Sequence, residues 1–414
     1  MTASSGNDLN TIRVDHIGSL VRPAKLRQAF AQHDRGQISR DDLRQAQDEA
    51  VGEVIAMQVK HGLPVVTDGE FRRHNFQESF SACVTGFEVP QNISLYYEHR
   101  DLNLTPFERA EQNFDEAGPA IVTRRPAVER LKLVRNLPLE EFRFAHRVAQ
   151  GPVKVTLLGP DRIAQRFKWE ASKSVYKDLD DFVAEVVAIS RQMITELVNA
   201  GCKYIQIDAP GYTAYVDQVS LDRMRSRGED PERNLQRSID ADNALIEGFP
   251  GVVFGIHVCR GNARTIDPNT GKLVPQWHRE GYYDAIAERL FNGLKHSRLL
   301  LEYDSDRAGS FEPLRFVPKD KMVVLGLVTT KSPDLETVDD LRRRIDQATR
   351  YLPLEQLALS PQCGFGGIDS KSLSEDEMWQ KLDRIVETAQ FSESIPSRVP
   401  RPVRGIGVEL GAKH

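Results

Sequence analysis

Eight short runs of β-branched and apolar residues recur along the chain, at residues 12–17, 64–67, 153–158, 204–207, 252–258, 298–303, 322–328 and 356–360. Each ends in polar or glycine-rich residues and gives way to a segment with helical periodicity. The helical stretches include 41–61, 179–200, 233–247, 282–295, 337–351 and 375–389. Strands apolar on both faces suit a parallel sheet covered by helices, and eight repeats suit closure. The expected fold is therefore an α/β (β/α)8 TIM barrel over residues 11–393. A doubly wound open sheet is the alternative arrangement of the same pattern.

The pattern is interrupted once, by an insertion after the second strand at 71–151, too long for an ordinary strand-to-helix connection. Residues 140–148 have helical spacing, whereas 88–104 read as irregular. The insertion is either a lid or oligomer contact over the active face, or a surface excursion without a chemical role. Residues 1–10 read as a flexible start, and the Pro-, Arg- and Gly-rich tail at 394–414 as irregular. The tail is either a strap on a neighbouring subunit of a homo-oligomer or a disordered end.

The 414 residues carry 55 Lys and Arg against 60 Asp and Glu, a formal net charge of −5, with the two signs interspersed. That argues against nucleic acid as a partner. No run of about eighteen apolar residues or signal-peptide pattern occurs, so a cytoplasmic protein with no membrane partner is expected. The four cysteines, Cys83, Cys202, Cys259 and Cys363, are too few and scattered for a disulfide framework. They are expected as free thiols.

His257 and Cys259 stand two positions apart in Gly255-Ile256-His257-Val258-Cys259-Arg260-Gly261-Asn262, so an extended chain puts both on one face. Imidazole and thiolate so placed can share one zinc ion, and a buried structural Cys beside a hydrogen-bonded His is the other reading. Glu302 closes the apolar run Leu299-Leu300-Leu301, where a carboxylate needs a partner. Cys363 follows the last strand in Ser360-Pro361-Gln362-Cys363-Gly364-Phe365-Gly366-Gly367. All four lie at C-terminal strand ends, which converge on one face of a barrel. Either they form one tetrahedral zinc site, or Glu302 pairs with Arg298 or Arg307 and Cys363 is a packing residue. Two soft thiolates favour zinc over magnesium or calcium, and such a metal can bind and deprotonate a substrate thiol.

Three further strand ends carry polar groups. The glycine and amides of His16-Ile17-Gly18-Ser19-Leu20 can hold a carboxylate or form a plain turn. Glu70, in Thr67-Asp68-Gly69-Glu70, and Asp208, in Gln206-Ile207-Asp208-Ala209-Pro210, can pair with an ammonium or serve as caps and surface ion pairs. Anchors for carboxylate and ammonium beside a thiol-binding zinc together describe homocysteine.

From His16 to about Gly367 these residues resemble, in order, the catalytic C-terminal half of cobalamin-independent methionine synthase and its stand-alone relatives. The resemblance implies a (β/α)8 barrel and zinc held by His257, Cys259, Glu302 and Cys363. It also implies homocysteine contacts at Ile17, Gly18, Ser19, Glu70 and Asp208. The sequence departs from the family at the donor side. The full family protein has two barrels, and this chain has length for one. Ala214 stands where the family has a folate-contacting glutamate, and Lys331 where it has a proton-donating histidine. The pterin-stacking tryptophan has no match in Leu157-Leu158-Gly159-Pro160-Asp161, and Trp169 lies too far on.

The expected activity is zinc-dependent methyl transfer to a thiol, most simply homocysteine to methionine, with Lys331 and Asp208 as the candidate catalytic groups. The donor is open, with methylcobalamin or a corrinoid protein among the candidates. An alkyl- or epoxide-to-thiol transferase shares the same zinc chemistry. A non-catalytic zinc-containing binding protein is the reading from another class, and a sulfur ligand added by homocysteine distinguishes them.

Overall fold

Six of the expected runs form a single parallel sheet: Lys154–Leu158, Tyr204–Asp208, Val253–Val258, Arg298–Glu302, Met322–Val328 and Leu357–Pro361. The computed structural model describes residues 8–88, 126–261, 264–266, 273–275, 279, 281–366 and 373–393. The tail at 394–414, most of the stretch expected to be irregular at 88–104, residues 1–7, Asn262 and Gly367 lie outside them.

In the sheet each strand lies beside its neighbour in sequence, with no reversal of order. A doubly wound sheet needs such a reversal at its switch point, so that alternative does not hold. The first two expected strands are reduced to one parallel bridge each. Val14 bridges Leu359 at one edge of the sheet, and Val66 bridges Val153 at the other. These two segments meet: the His16 ring lies 3.2 Å from the Val65 carbonyl, Thr67 donates to the Gly18 carbonyl at 2.6 Å, and the Leu20 amide donates to Gly69 at 3.1 Å.

All six strands are buried along their full length, which explains their continuous apolar character. Helices cover the sheet with one apolar face each. Leu179–Asn199 starts on the Asp178 cap and turns Phe182, Val186, Ile189, Met193 and Leu197 inward. Arg40–Lys60 opens on a reciprocal capping box between Ser39 and Asp42. The region expected as one helix over 282–295 is instead a 3-10 turn, Tyr283–Ala285, and a short helix, Ala287–Gly293.

Within the insertion, the described parts are a short helix Glu78–Ser81, an antiparallel pair Val84–Phe87 with Ala127–Leu133, and the helix Leu137–Val148. That last helix packs between Arg40–Lys60 and Leu179–Asn199 and against the strand Lys154–Leu158. It is thus part of the helical layer. No helix among the described residues is long and apolar enough to cross a membrane.

Candidate metal and amino-acid site

Because the strands are parallel, their C-terminal ends lie together, and the sequence places polar residues there. His257 is the register partner of Asp208 on the adjacent strand, and Cys259 stands two positions on, just past the strand end. The ligand atoms of His257, Cys259 and Cys363 lie within 4.8 Å of one another, with the two sulfurs 3.8 Å apart. The loop bearing Cys363 sits hard against the Ile17–Leu20 segment. A Cβ on Gly366 would stand 2.3 Å from the Leu20 carbonyl oxygen, so only glycine allows this approach.

These residues suit a soft metal ion. His257 Nε2 is buried with no hydrogen-bond partner, while Nδ1 faces the Leu300 carbonyl at 3.3 Å. A ring held in this way from one nitrogen has the other available as a ligand. The Cys363 hydrogen bond holds the Cys259 thiol well below its ordinary range, and the same contact pushes Cys363 well above it. Geometrically, the Cys363 thiol donates to Cys259, and a metal held by both sulfurs would displace that hydrogen bond. Burial lowers the His257 pKa, but Cys259, then Asp208 and Glu302, outweigh it and raise the imidazole.

Glu302 is fully buried beside this trio but engaged elsewhere. Its Oε2 accepts the Arg260 amide at 2.6 Å, and its Oε1 pairs with Arg307 at 2.5 Å and with Lys331 at 3.3 Å. Burial raises its pKa, but Lys331, Arg307 and Arg260 outweigh that and hold the carboxyl below its ordinary value. Of the two partners weighed from sequence, Arg307 is the one that pairs with Glu302. Arg298 instead reaches Asp15 at 3.3 Å. Lys331 also lies 2.8 Å from Asp304, so it belongs to the charged surround of Glu302 rather than to an open loop.

The candidate amino-acid anchors lie close to the candidate metal ligands, with Asp208 the register partner of His257. Glu70 adopts φ 58°, a left-handed conformation unusual for a residue with a side chain. It is held by its amide on Asp68 at 3.0 Å and by Thr156, which donates to Oε1 at 2.9 Å. A non-glycine residue stays in this region only where its surround fixes it, here through Asp68 and Thr156. Gly18, at φ 128°, packs on the same groups: a Cβ there would meet Thr156 Cγ2 at 2.6 Å and Glu70 Oε1 at 3.5 Å. Asp208 is buried and accepts Gln206 at 2.7 Å. Burial pushes its carboxyl up to about 7; His257 opposes this, and Glu70 and Cys259 add to it. Neither carboxylate is a surface cap, since Glu70 and Asp208 are 3% and 5% exposed.

Three supporting groups escaped the sequence reading. Arg73 is buried, pairs with Glu141 at 2.6 Å and Glu70 at 3.8 Å, and donates to Thr156 at 3.0 Å. Lys154 and Gln206 lie within strands and are 2% and 0% exposed. The argument that singled out Glu302, a polar group inside an apolar run, applies equally to Lys154 and Gln206. Arg73 carries no such signal, because its partner Glu141 is 68 residues away.

Residues 300–391 match the family described as "Cobalamin-independent synthase, Catalytic domain". The chain is 31% identical to "Uncharacterized protein YxjH" of Bacillus subtilis (strain 168), covering 91% of this chain and 93% of that one. It is 26% identical to "Methionine synthase" of Saccharolobus solfataricus, over 90% of this chain and 92% of the relative. Among solved structures, the putative vitamin-B12 independent methionine synthase from Listeria monocytogenes is similar in fold. Its TM-score is 0.66 at 23% identity, over 93% of this chain and 99% of that chain. By these similarities the chain belongs to the cobalamin-independent methionine synthase family.

Proposed function

We propose that the protein is a zinc-dependent methyltransferase that methylates a thiol, with homocysteine as acceptor and methionine as product. The observation that carries this reading is the convergence of His257, Cys259 and Cys363, with an unpartnered buried imidazole nitrogen among them. The edge bridges at Val14 and Val66, and the contacts between those segments, support closure of the sheet into a (β/α)8 barrel. In that arrangement every candidate group faces one mouth.

His257, Cys259 and Cys363 would hold the zinc, with Glu302 beside them. Bound zinc would lower the pKa of a substrate thiol to give a thiolate at neutral pH. The protein's own groups do the rest. Glu70 and Asp208 bind the substrate ammonium, whose charge favours the ionised form of the raised Asp208 carboxyl. The amides of Ile17, Gly18 and Ser19 receive the carboxylate. With both ends of the amino acid fixed, the sulfur faces the donor methyl in line, and orientation supplies much of the rate. The new S–CH3 bond forms as the donor's leaving atom departs with the bonding pair. Lys331 lies 3.3 Å from Glu302 Oε1 at the edge of this group.

The donor is the open side of the site. Ala214 offers no hydrogen bond where a folate-contacting carboxylate would stand, which favours methylcobalamin, free or on a corrinoid protein, over a methyl-folate. Incubating the zinc-loaded protein and homocysteine separately with methyl-folates, methylcobalamin and small methyl donors, and measuring methionine, tests the proposal. No methionine from any donor, together with no change in the metal's ligands on adding homocysteine, would refute it.

A further inference from the structure

The two halves of the amino-acid clamp come from segments almost two hundred residues apart, yet one buried side chain touches both. Gln206 Nε2 donates to the Ile17 carbonyl at 2.7 Å and to Asp208 Oδ1 at 2.7 Å. Its Oε1 accepts Lys154 Nζ at 2.9 Å. An amide nitrogen has two hydrogens and an ammonium cannot accept, so all three bonds together admit a single orientation of the Gln206 amide.

Lys154 is in turn fixed from below. Its Nζ lies 2.7 Å from Asp15 Oδ1 and donates to the His16 carbonyl. Asp15 Oδ2 accepts Tyr204 at 2.6 Å and Arg298 at 3.3 Å. Burial raises the Asp15 carboxyl, but Lys154 and Arg298 outweigh it and bring it down to about 2. The lysine thus has an ionised partner, and the chain of bonds runs from Asp15 through Lys154 and Gln206 to Asp208.

We infer that Gln206 is a positioning residue for the amino-acid acceptor, anchored by Lys154. It sets the Ile17–Gly18 peptide plane and the Asp208 carboxylate in one register. A bond to the Ile17 carbonyl fixes where the Gly18 amide points, because the peptide unit is planar. A bond to Asp208 Oδ1 leaves Oδ2 as the oxygen available to an ammonium. Such a fixed surround is what holds a binding constellation to its working geometry. This role rests on the proposed amino-acid thiol substrate and adds a determinant of its recognition.

The test compares homocysteine with 4-mercaptobutanoate, the same thiol without the amine, by direct binding to zinc-loaded wild type, Gln206→Glu and Gln206→Met. Gln206→Glu keeps the shape and the Lys154 contact but replaces the donating nitrogen with an oxygen. Gln206→Met removes all three bonds, and the isosteric variant keeps the test open where Gln206→Met fails to fold. The expected result is wild-type preference for homocysteine and a loss of about ten- to hundredfold in homocysteine affinity in the variants. Zinc content should stay within about twofold of wild type, and the desamino thiol, which keeps the carboxylate but lacks the ammonium held by Asp208, should lose clearly less affinity than homocysteine does. Equal losses for both thiols, or no loss for either, would overturn the positioning role. Wild type that does not favour homocysteine would overturn the substrate reading, and the positioning role with it.

Discussion

The sulfurs of Cys259 and Cys363 lie 3.8 Å apart although 104 residues separate them, with the Cys363 thiol donating to Cys259. Neither cysteine is needed to build the sheet, since both stand just past strand ends. Cys259→Ser and Cys363→Ser should therefore each lose most bound zinc and all methyl transfer while keeping far-UV circular dichroism and a cooperative melt. A core of this size does not depend on a metal for folding as a zinc finger does. Full zinc occupancy in both variants would remove the site.

Glu302 should behave differently from the cysteines. Both of its oxygens are already engaged, by the Arg260 amide and by Arg307 with Lys331. Glu302→Gln is expected to weaken zinc by about 10- to 100-fold, the scale of an outer partner, rather than to abolish binding. Competition with a chromophoric chelator measures this. Loss as complete as in the cysteine variants would make Glu302 an obligatory ligand.

Asp208→Asn and Glu70→Gln each remove a charge-assisted hydrogen bond to the ammonium, worth about 1.5–3 kcal/mol. Each should raise the KM for homocysteine by about ten- to hundredfold and leave a thiol without the amine nearly unaffected. Equal damage to both thiols would place these carboxylates in the scaffold.

Much of this arrangement is legible in the sequence because the physics is local. Strands such as Met322–Val328 are apolar on both faces, and Leu179–Asn199 has an acidic cap and one apolar stripe. Helices lacking those signals escape notice. Ala24–Asp34 has no side-chain cap, and Gln218–Ser226 buries only Met224. His257 and Cys259 are readable as a pair because strand alternation puts them on one face. The hold of Lys331 on Glu302, and of Glu141 on Arg73, depends on how distant segments fold together at the strand ends, which no spacing encodes.

A separate group, Asp242, gives the fold a pH dependence. It is fully buried; Oδ2 accepts Tyr212 at 2.6 Å and Oδ1 has no partner. Burial pushes its carboxyl from 3.8 up to about 8, against the Tyr212 hydrogen bond and with the help of Asp161. Below 3.8 both folded and unfolded chains carry the proton, and the contribution to stability is complete. As pH rises towards 8 only the unfolded chain ionises, so stability falls by up to about 1.4 kcal/mol per pH unit. Asn mimics the protonated acid, so Asp242→Asn should flatten this decline, read as urea midpoints at pH 5 and pH 8. Parallel pH curves for wild type and variant would show that Asp242 is not held protonated.

The last prediction concerns the methyl donor. Ala214 is 3% exposed within the turn Pro210–Tyr215, at the position where the family resemblance calls for a folate-contacting glutamate. Its methyl group can neither donate nor accept a hydrogen bond. Trp169 is occupied otherwise, its ring 5.9 Å from Phe167 in the hydrophobic core's margin. A missing hydrogen bond and a missing aromatic stack each cost about 1–3 kcal/mol, so methyl-folate affinity should fall by orders of magnitude. Methyl-folate, even polyglutamylated, should then give little methionine, and methylcobalamin or another activated methyl compound should do better. Introducing the carboxylate alone, as Ala214→Glu, is not expected to restore folate use, because the buried turn leaves no room for it without rearrangement. Steady-state turnover of wild type with methyl-folate at micromolar KM, equal to or faster than with every other donor, would overturn this assignment and place the protein among the ordinary folate-using members of its family.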